Sequence, residues 1–325
     1  MEEYTRYSEQ IESKLNSLAL PGNPARLYDP IRYSLRLKGK RLRPVLTLAA
    51  CDLFGGQAED AIDAAAGIEI FHNFTLLHDD IMDQAPLRRG KETVYKKWNT
   101  NVAILSGDTM FALAYRLISA KRSDNLKDIL DTFTQAAIEV CEGQQIDMDF
   151  ETATNVTIPA YIEMIRLKTA VLLGACLKIG ALSANADIRQ ADLLYDFGIY
   201  AGLAFQLQDD LLDAFASNEK FGKSIGGDIL ANKKTFLYLK CLELASQTDH
   251  TKLSELFSGS ISYDPEVKIL RVLEIYNRYN IRQLAKEEME RYFNKAISCL
   301  HMVKADEHKK AQLRNYAEWL YKRDY

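Results

Sequence analysis

The sequence is poor in residues that interrupt helices or build cross-linked scaffolds. Its 325 residues include seven prolines, sixteen glycines and five cysteines. The cysteines form no short pairs, which excludes a disulfide framework and a zinc site with closely spaced thiols and fits a reducing cytosol. The formal net charge of −4 gives none of the basic excess that is typical of a general nucleic-acid binder.

Sustained strand-like alternation is also absent from the sequence. Apolar residues instead recur at spacings of three and four, as at Leu126, Ile129 and Leu130, and we predict an all-α protein of many antiparallel helices. The most membrane-like stretch, Ala170–Ala186, contains Lys178 and several small residues, so we interpret it as a packed internal helix. The acidic start of the chain has no apolar core, and we therefore expect no signal peptide and a cytoplasmic location.

The loops between these helices are predicted to be short. Glycine, proline and polar clusters place them at Pro21–Pro24, Phe54–Gln57, Ala85–Glu92, Ala153–Pro159, Asn218–Gly227 and Ser258–Pro265. None of them is long or simple enough to link independent domains. We therefore expect a single domain over residues 1–325.

Two acidic clusters of identical spacing stand 130 residues apart. Their carboxylates are Asp79, Asp80 and Asp83 in the first cluster and Asp209, Asp210 and Asp213 in the second. Each cluster closes a long apolar run, Ala61–Leu77 or Leu193–Leu207. On an α-helix the first and last aspartates of a cluster share one face. Carboxylates at the end of a buried helix need positive partners, and two such helices facing each other would form a cage for hard cations.

The duplication of the cluster is what favours a metal site. A single Asp-Asp-x-x-Asp string is more often a solvated helix face, whereas two copies in the same apolar context predict partial burial and positive partners. Oxygen ligands without nearby cysteine or suitably spaced histidine favour magnesium or calcium over zinc. Magnesium held by few carboxylates completes its shell with water and phosphate oxygens, so we expect a diphosphate substrate as the remaining ligand.

Basic residues flank both clusters. They are Lys40 and Arg43 before the first cluster, Arg88 and Arg89 after it, and Lys223, Lys233 and Lys234 after the second. Each alone is more often surface decoration, but arginine grips phosphate oxygens in pairs and lysine acts as a mobile point charge. Together they outline two anion sites, one bridged by metal ions and one held directly. His72 lies two helical turns before Asp79 on the same face, where a structural role and a diphosphate contact are both open.

These motifs resemble those of the head-to-tail trans-prenyltransferases, the short-chain isoprenyl diphosphate synthases that include farnesyl and geranylgeranyl diphosphate synthases. The resemblance covers roughly residues 32–235. The segment Lys38–Pro44 is similar to the family's Gly-Gly-Lys-Arg-x-Arg-Pro loop, with Lys38 in place of the first glycine, and Phe205–Asp213 is similar to its second aspartate-rich motif. Asn232-Lys233 stands where the family has Gly-Lys. The resemblance implies the isoprenoid synthase fold around a central cavity, one polyprenyl synthetase domain and a homodimer.

The resemblance also implies roles for individual residues. Isopentenyl diphosphate, the acceptor, would be bound by Lys40, Arg43, His72 and Arg89. The allylic diphosphate donor would be bound by Arg88, Lys168, Thr169, Gln206, Lys223 and Lys233. Three magnesium ions would be held by Asp79, Asp80, Asp83, Asp209 and Asp213. The residues expected to carry the ionisation, condensation and proton loss are Asp79, Asp80, Asp83, Arg88, Lys168, Asp209 and Lys223.

The resemblance also implies that product length depends on the residues four and five positions before the first cluster, Thr75 and Phe74. Phe74 resembles the blocking aromatic of the twenty-carbon synthases, whereas on an ideal helix Phe71 and Thr75 lie nearer the aspartate face, which leaves core packing as the alternative role of Phe74. We favour geranylgeranyl diphosphate as the product, with farnesyl diphosphate as the alternative. The paired cationic loops and the two intact Asp-rich motifs disfavour a terpene cyclase and a non-catalytic prenyltransferase subunit.

Overall fold

The computed structural model describes residues 2–37, 39–121, 123–216, 226–259, 261 and 263–321. The helices are α1 (Glu2–Asn16), α2 (Ala25–Arg36), α3 (Leu42–Leu53), α4 (Ala58–Met82), α5 (Val94–Lys97), α6 (Thr100–Ile118), α7 (Leu126–Thr152), α8 (Ile158–Ile165), α9 (Val171–Ser183), α10 (Ile188–Phe215), α11 (Gly227–Leu230), α12 (Phe236–Leu244), α13 (Gln247–Phe257), α14 (Pro265–Arg278), α15 (Ile281–Met302) and α16 (Glu307–Tyr321). A π-helical turn, Arg166–Ala170, lies between α8 and α9. The predicted all-α fold is confirmed.

The chain forms two compact units. The first unit comprises residues 1–134, 175–195 and 304–312, and the second comprises residues 135–174, 196–303 and 313–325. The first acidic cluster lies in the first unit and the second cluster in the second. A single domain over residues 1–325 stays a prediction.

Helix α4 is the central element of the first unit, where it packs along α6 and α3. Ile68, Phe71 and Leu77 of α4 are buried, and its buried residues cover most of the helix circumference, which is typical of a core helix. A capping box fixes its start. The Gln57 backbone N–H donates to Asp60 Oδ2 at 2.8 Å, and the Gln57 side chain accepts from the Asp60 backbone N–H. The helix ends at Met82, and its last turn therefore carries the first acidic cluster.

The second unit contains the C-terminal part of α10 and a set of mostly shorter helices. Helices α11 and α13 pack against α14, and α12 packs against α8 and α15. Leu203, Leu207 and Leu211 of α10 are buried, and their spacing of four gives one apolar stripe along the helix. The second acidic cluster lies at the end of this stripe.

Some segments differ from the predicted organisation. The predicted loop Ala85–Glu92 contains a small antiparallel hairpin, β1 (Leu87–Arg88) and β2 (Lys91–Glu92), whose strands are too short for a sequence pattern. The predicted loop Asn218–Gly227 lies outside the described residues up to residue 225. The apolar stretch Ala170–Ala186 is mostly α9, a largely buried helix, and no described helix is long and apolar enough to cross a membrane.

Candidate active site

The first acidic cluster occupies the C-terminal end of α4. Asp83 is exposed and Asp79 is half-buried, whereas Asp80 is only 3% exposed. The Asp83 amide donates to the Asp79 carbonyl at 2.8 Å, so helical hydrogen bonding continues to the end of the cluster. The first and last aspartates therefore lie one turn apart on the same side of the helix, as the spacing predicts.

Arg88 neutralises the buried carboxylate of Asp80. Its Nε donates to Asp80 Oδ1 at 2.7 Å. Burial nevertheless raises the pKa of Asp80, and the Arg88 charge opposes that rise. The hairpin after α4 brings Arg88 back to the cluster, helped by the hydrogen bond from the Ala85 amide to the Asp80 carbonyl at 3.0 Å. One predicted metal ligand and one predicted diphosphate-binding cation are thus paired with each other.

Arg43 and His72, two residues expected to bind the acceptor, are in direct contact. Arg43 Nη1 donates to His72 Nε2 at 3.1 Å, which requires an imidazole whose Nε2 is unprotonated. Burial, followed by the charges of Arg43 and Arg89, holds the pKa of His72 well below its usual range. A neutral His72 is therefore the expected state at pH 7.

The loop that carries Lys40 and Arg43, two cations predicted to bind the acceptor, lies close to Arg89. Arg89 Nη1 donates to the Leu37 carbonyl at 3.0 Å, and a Cβ on Gly39 would come within 2.5 Å of the same nitrogen. A side chain at position 39 would therefore require the Arg89 guanidinium, the end of a flexible side chain, to shift. Lys40 is exposed in this loop, whereas Lys38 lies outside the described residues.

In the second acidic cluster, as in the first, the middle aspartate is the most buried. Asp209 is exposed and Asp213 is half-buried, whereas Asp210 is 3% exposed. Tyr161 donates its hydroxyl proton to Asp210 Oδ2, and Gln206 Nε2 donates to Asp210 Oδ1 at 3.4 Å. Burial raises the pKa of Asp210 well above its usual range, against the effect of the Tyr161 hydrogen bond. The predicted magnesium ligands of this cluster, Asp209 and Asp213, are its more exposed members.

A π-helical turn positions Lys168 and Thr169. Thr169 Oγ1 donates to Gln206 Oε1 at 3.3 Å, which brings together two residues predicted to bind the allylic diphosphate. Lys168 Nζ donates to Asp147 Oδ2 of α7 at 2.5 Å. A Cβ on Gly143 would meet the Lys168 backbone nitrogen at 2.3 Å, so glycine lets α7 approach this turn closely. π-Helical turns inside α-helices are frequently found at functional sites.

Helix α11, which follows the loop after α10, carries a further carboxylate beside the second cluster. The Asp228 amide donates to Asp213 Oδ2 at 2.9 Å, and Lys233 Nζ lies 3.5 Å from Asp228 Oδ1. Burial, followed by the Asp228 charge, raises the pKa of Asp213. Lys223, which was expected to bind the donor from this loop, lies outside the described residues.

Aromatic rings fill the first unit before the first cluster. Phe71 is fully buried and contacts Phe74, Phe111 and Phe133, with ring centroids 5.2 to 5.6 Å apart. Phe74 is half-buried and stacks on Phe111 of α6 at 5.2 Å. Thr75 is half-buried and donates its hydroxyl proton to the His72 carbonyl at 2.8 Å. Phe111 and Phe133 are distant in sequence from the first cluster, and the sequence analysis missed them.

The carboxylate oxygens of the clusters fit a hard cation whose coordination shell also includes a diphosphate. Within the described part of the chain, no three Asp, Glu, His or Cys side chains form a group that could hold a metal ion. Magnesium characteristically takes one or two carboxylates and completes its shell with phosphate oxygens and water.

Burial raises the pKa of Cys51, Cys176 and Cys241 to about 12, so these thiols stay protonated at pH 7.

The all-α fold and the two aspartate-rich helix ends, each with its own cations, define a trans-prenyltransferase. The sequence model of the Polyprenyl synthetase family matches residues 24–274. A curated geranylgeranyl diphosphate synthase of Sulfolobus acidocaldarius is 37% identical over 310 residues, which cover 93% of each chain. The crystal structure of a geranylgeranyl pyrophosphate synthetase from Pyrococcus horikoshii is 32% identical, with a TM-score of 0.92 over 99% of this chain and 98% of that one. The chain belongs to the polyprenyl synthetase family.

A second solved structure supports the same assignment. The crystal structure of a geranylgeranyl pyrophosphate synthase is 43% identical to the chain, with a TM-score of 0.91 over 100% of this chain and 98% of that one. A curated short chain isoprenyl diphosphate synthase of Methanothermobacter thermautotrophicus is 36% identical over 282 residues, which cover 86% of this chain and 85% of the relative. The predicted family is therefore confirmed.

Proposed function

We propose that the protein condenses isopentenyl diphosphate with an allylic diphosphate and releases geranylgeranyl diphosphate as its main product. The observation that carries the proposal is a contrast between two groups of cations. Arg43 and Arg89 donate to a neutral imidazole and to a backbone carbonyl. The described donor-site cations, which are Arg88, Lys168 and Lys233, each pair with a carboxylate.

This contrast supports two diphosphate sites of different chemistry. Cations with neutral partners keep their charge for an incoming anion, which supports Arg43 and Arg89 as direct ligands of isopentenyl diphosphate. Lys40 and the neutral His72 are proposed to bind the same diphosphate with them. Cations that already pair with carboxylates gain less from a bare anion, because the ligand must compete with the internal partner. A diphosphate accompanied by cations satisfies both halves of such a pair.

The donor site therefore suits an allylic diphosphate bound together with magnesium. Its proposed cations and polar residues are Arg88, Lys168, Thr169, Gln206, Lys223 and Lys233. Asp79, Asp80, Asp83, Asp209 and Asp213 are the proposed magnesium ligands, with three ions as the proposed number. When bound, magnesium would neutralise charge on the departing diphosphate. The burial of Asp80 favours Asp79 and Asp83 for direct contact in the first cluster.

The proposed reaction has three steps. The bond between the allylic carbon and the diphosphate oxygen breaks while Arg88 and Lys168 stabilise the diphosphate charge. The double bond of isopentenyl diphosphate, oriented by Arg43 and Arg89, then forms the new carbon–carbon bond. Finally a proton leaves the resulting cation, and the released diphosphate is the proposed base.

The aromatic rings before the first cluster support a product of limited length. Phe74 lies five residues before Asp79, about 7.5 Å along the helix, and is half-buried. Its stacking on Phe111 makes it the proposed end of the path open to the growing tail, with Phe71 and Thr75 as its neighbours. The curated relatives named as geranylgeranyl diphosphate synthases support the same length.

Assembly and location are proposed from the family resemblance and the composition. We propose a homodimer. Free cysteines in the described part of the chain suit a reducing compartment, and the cytoplasm is the proposed location.

The proposal is tested by incubating the purified protein with magnesium, isopentenyl diphosphate and, in turn, dimethylallyl, geranyl and farnesyl diphosphate. The expected result is consumption of isopentenyl diphosphate with each starter and a twenty-carbon main product. Arrest at fifteen carbons would support the farnesyl alternative. Conversion of an allylic diphosphate without any use of isopentenyl diphosphate would contradict the proposal and indicate a cyclase.

A further inference from the structure

Arg41, in the loop that carries Lys40 and Arg43, forms a buried ion pair with Glu69 of α4. Arg41 and Glu69 are 3% and 2% exposed, and Arg41 Nη1 donates to Glu69 Oε1 at 2.7 Å. The other two nitrogens of Arg41 also donate, Nε to Glu12 Oε1 at 2.7 Å and Nη2 to the Leu35 carbonyl at 2.6 Å. This arginine is turned away from solvent, and each of its three guanidinium nitrogens donates a hydrogen bond inside the first unit.

The backbone at Arg41 has an unusual conformation for a residue with a side chain. Its φ of 46° and ψ of 35° lie in the left-handed region, immediately before the first residue of α3. A non-glycine residue in this region is strained and persists only where its surroundings fix it. The three hydrogen bonds of the guanidinium provide that fixation.

Glu69 is itself held in place by its neighbours on α4. Asn73 Nδ2 donates to Glu69 Oε1 at 3.1 Å and to the Glu69 carbonyl at 2.8 Å. Ser34 Oγ donates to Asn73 Oδ1 at 3.4 Å. The carboxylate therefore has a defined position before it meets Arg41.

The ion pair and the acceptor site share one face of α4. Glu69 and His72 are three residues apart, and Arg41 contacts the first as Arg43 contacts the second. Fixing Arg41 inward sets the path of the chain on both sides of it. Lys40 is exposed on one side, and Arg43 reaches His72 on the other.

We propose that Glu69, acting through Arg41, is a positioning residue for the acceptor diphosphate. The pair holds the loop so that Lys40 and Arg43 present their charges to isopentenyl diphosphate. This inference rests on the proposed function for the identity of the ligand. The placement of the loop itself follows from the contacts alone.

An electrostatic role and a positioning role of Glu69 predict opposite changes in anion binding when its charge is removed, which makes the proposal testable. Burial lowers the pKa of Arg43 and of Arg89, and the Glu69 charge opposes both shifts, so its negative charge reaches these cations. A purely electrostatic role predicts that removal of the charge strengthens anion binding. A positioning role predicts that the same change weakens it, because the loop loses its defined path.

The experiment compares three variants by steady-state kinetics and by calorimetric binding of inorganic diphosphate without magnesium. Glu69→Gln removes the charge, and the double variant Arg41→Met with Glu69→Leu removes the whole pair without leaving a buried charge unpaired. Glu12→Gln is the matched control, because Glu12 contacts the same guanidinium but its side chain is 41% exposed. Circular dichroism and thermal unfolding establish that each variant is folded.

The first two variants are expected to raise KM for isopentenyl diphosphate about tenfold and to weaken diphosphate binding, with KM for the allylic substrate changed less than about twofold. The control is expected to change neither KM by more than about twofold. An unchanged or lower acceptor KM, or an equal rise in both KM values, overturns the positioning role. If the wild type forms no condensation product, the proposed function fails, and the binding measurement alone then decides the positioning role.

Discussion

Replacement of Phe74 by alanine is expected to lengthen the main product by about one isoprene unit. Phe74 lies five residues before Asp79 and Phe71 eight, so the next aromatic floor is about 4.5 Å deeper along α4. At the scale of about 5 Å per unit, in which 7.5 Å of helix corresponds to about one and a half units, the tail gains room for one unit. The expected shift is from a twenty-carbon to a twenty-five-carbon product.

The variant is expected to fold. Phe→Ala in a packed core costs about 3 to 5 kcal/mol, and Phe74 is half-buried, so about 2 kcal/mol is expected here against a total stability of about 5 to 15 kcal/mol. Phe71→Ala removes a fully buried ring and is expected to cost the full amount. Chromatography of the dephosphorylated products measures chain length, and thermal unfolding measures stability. Unchanged product lengths in both variants would refute this account of the tunnel end.

Three further predictions concern the two clusters and their surroundings. Gly143→Ala should place a methyl group against the Lys168 backbone, destabilise the fold by about 1 to 3 kcal/mol and raise KM for the allylic substrate. The control Gly22→Ala has open space around the new methyl group and should change neither thermal unfolding nor the kinetics. Asp79→Asn should lower kcat about 10²-fold or more without loss of folding, and a smaller loss in single-turnover assays would argue against a metal-ligand role. Because the pKa of His72 is lowered well below 6.5, the unfolded chain binds more protons below that pH and stability falls on acidification. In His72→Gln the free energy of unfolding, measured with urea from pH 7 to 5, should fall less than in the wild type. Equal slopes of this free energy against pH in the two proteins would contradict the buried neutral imidazole.

Local sequence patterns predicted the features that depend on local chemistry. Apolar spacing of three and four indicated helices, and both aspartate clusters lie at the ends of core helices, as the apolar runs before them implied. The contact between Arg43 and His72 joins two residues that the family resemblance had grouped. Motif spacing carries this information because it fixes which side chains share a helix face.

Features that depend on tertiary packing were not accessible from the sequence. The pair of Arg41 and Glu69 joins residues 28 apart, and the bond from Tyr161 to Asp210 joins residues 49 apart. The π-helical turn at Lys168 lies against α7 and has no sequence pattern of its own. The middle aspartate of each cluster is buried against a partner that only the fold brings near, Arg88 for Asp80 and Tyr161 for Asp210.

The central claim is that this chain joins isopentenyl diphosphate to an allylic diphosphate at its aspartate-rich clusters. It is tested most directly by a radiolabelled isopentenyl diphosphate assay with farnesyl diphosphate and magnesium, run on the wild type and on Asp79→Asn. The account predicts labelled geranylgeranyl diphosphate from the wild type and about 10²-fold less from the variant. Label that stays entirely in isopentenyl diphosphate with the folded wild type, or an equal yield from the variant, would contradict it.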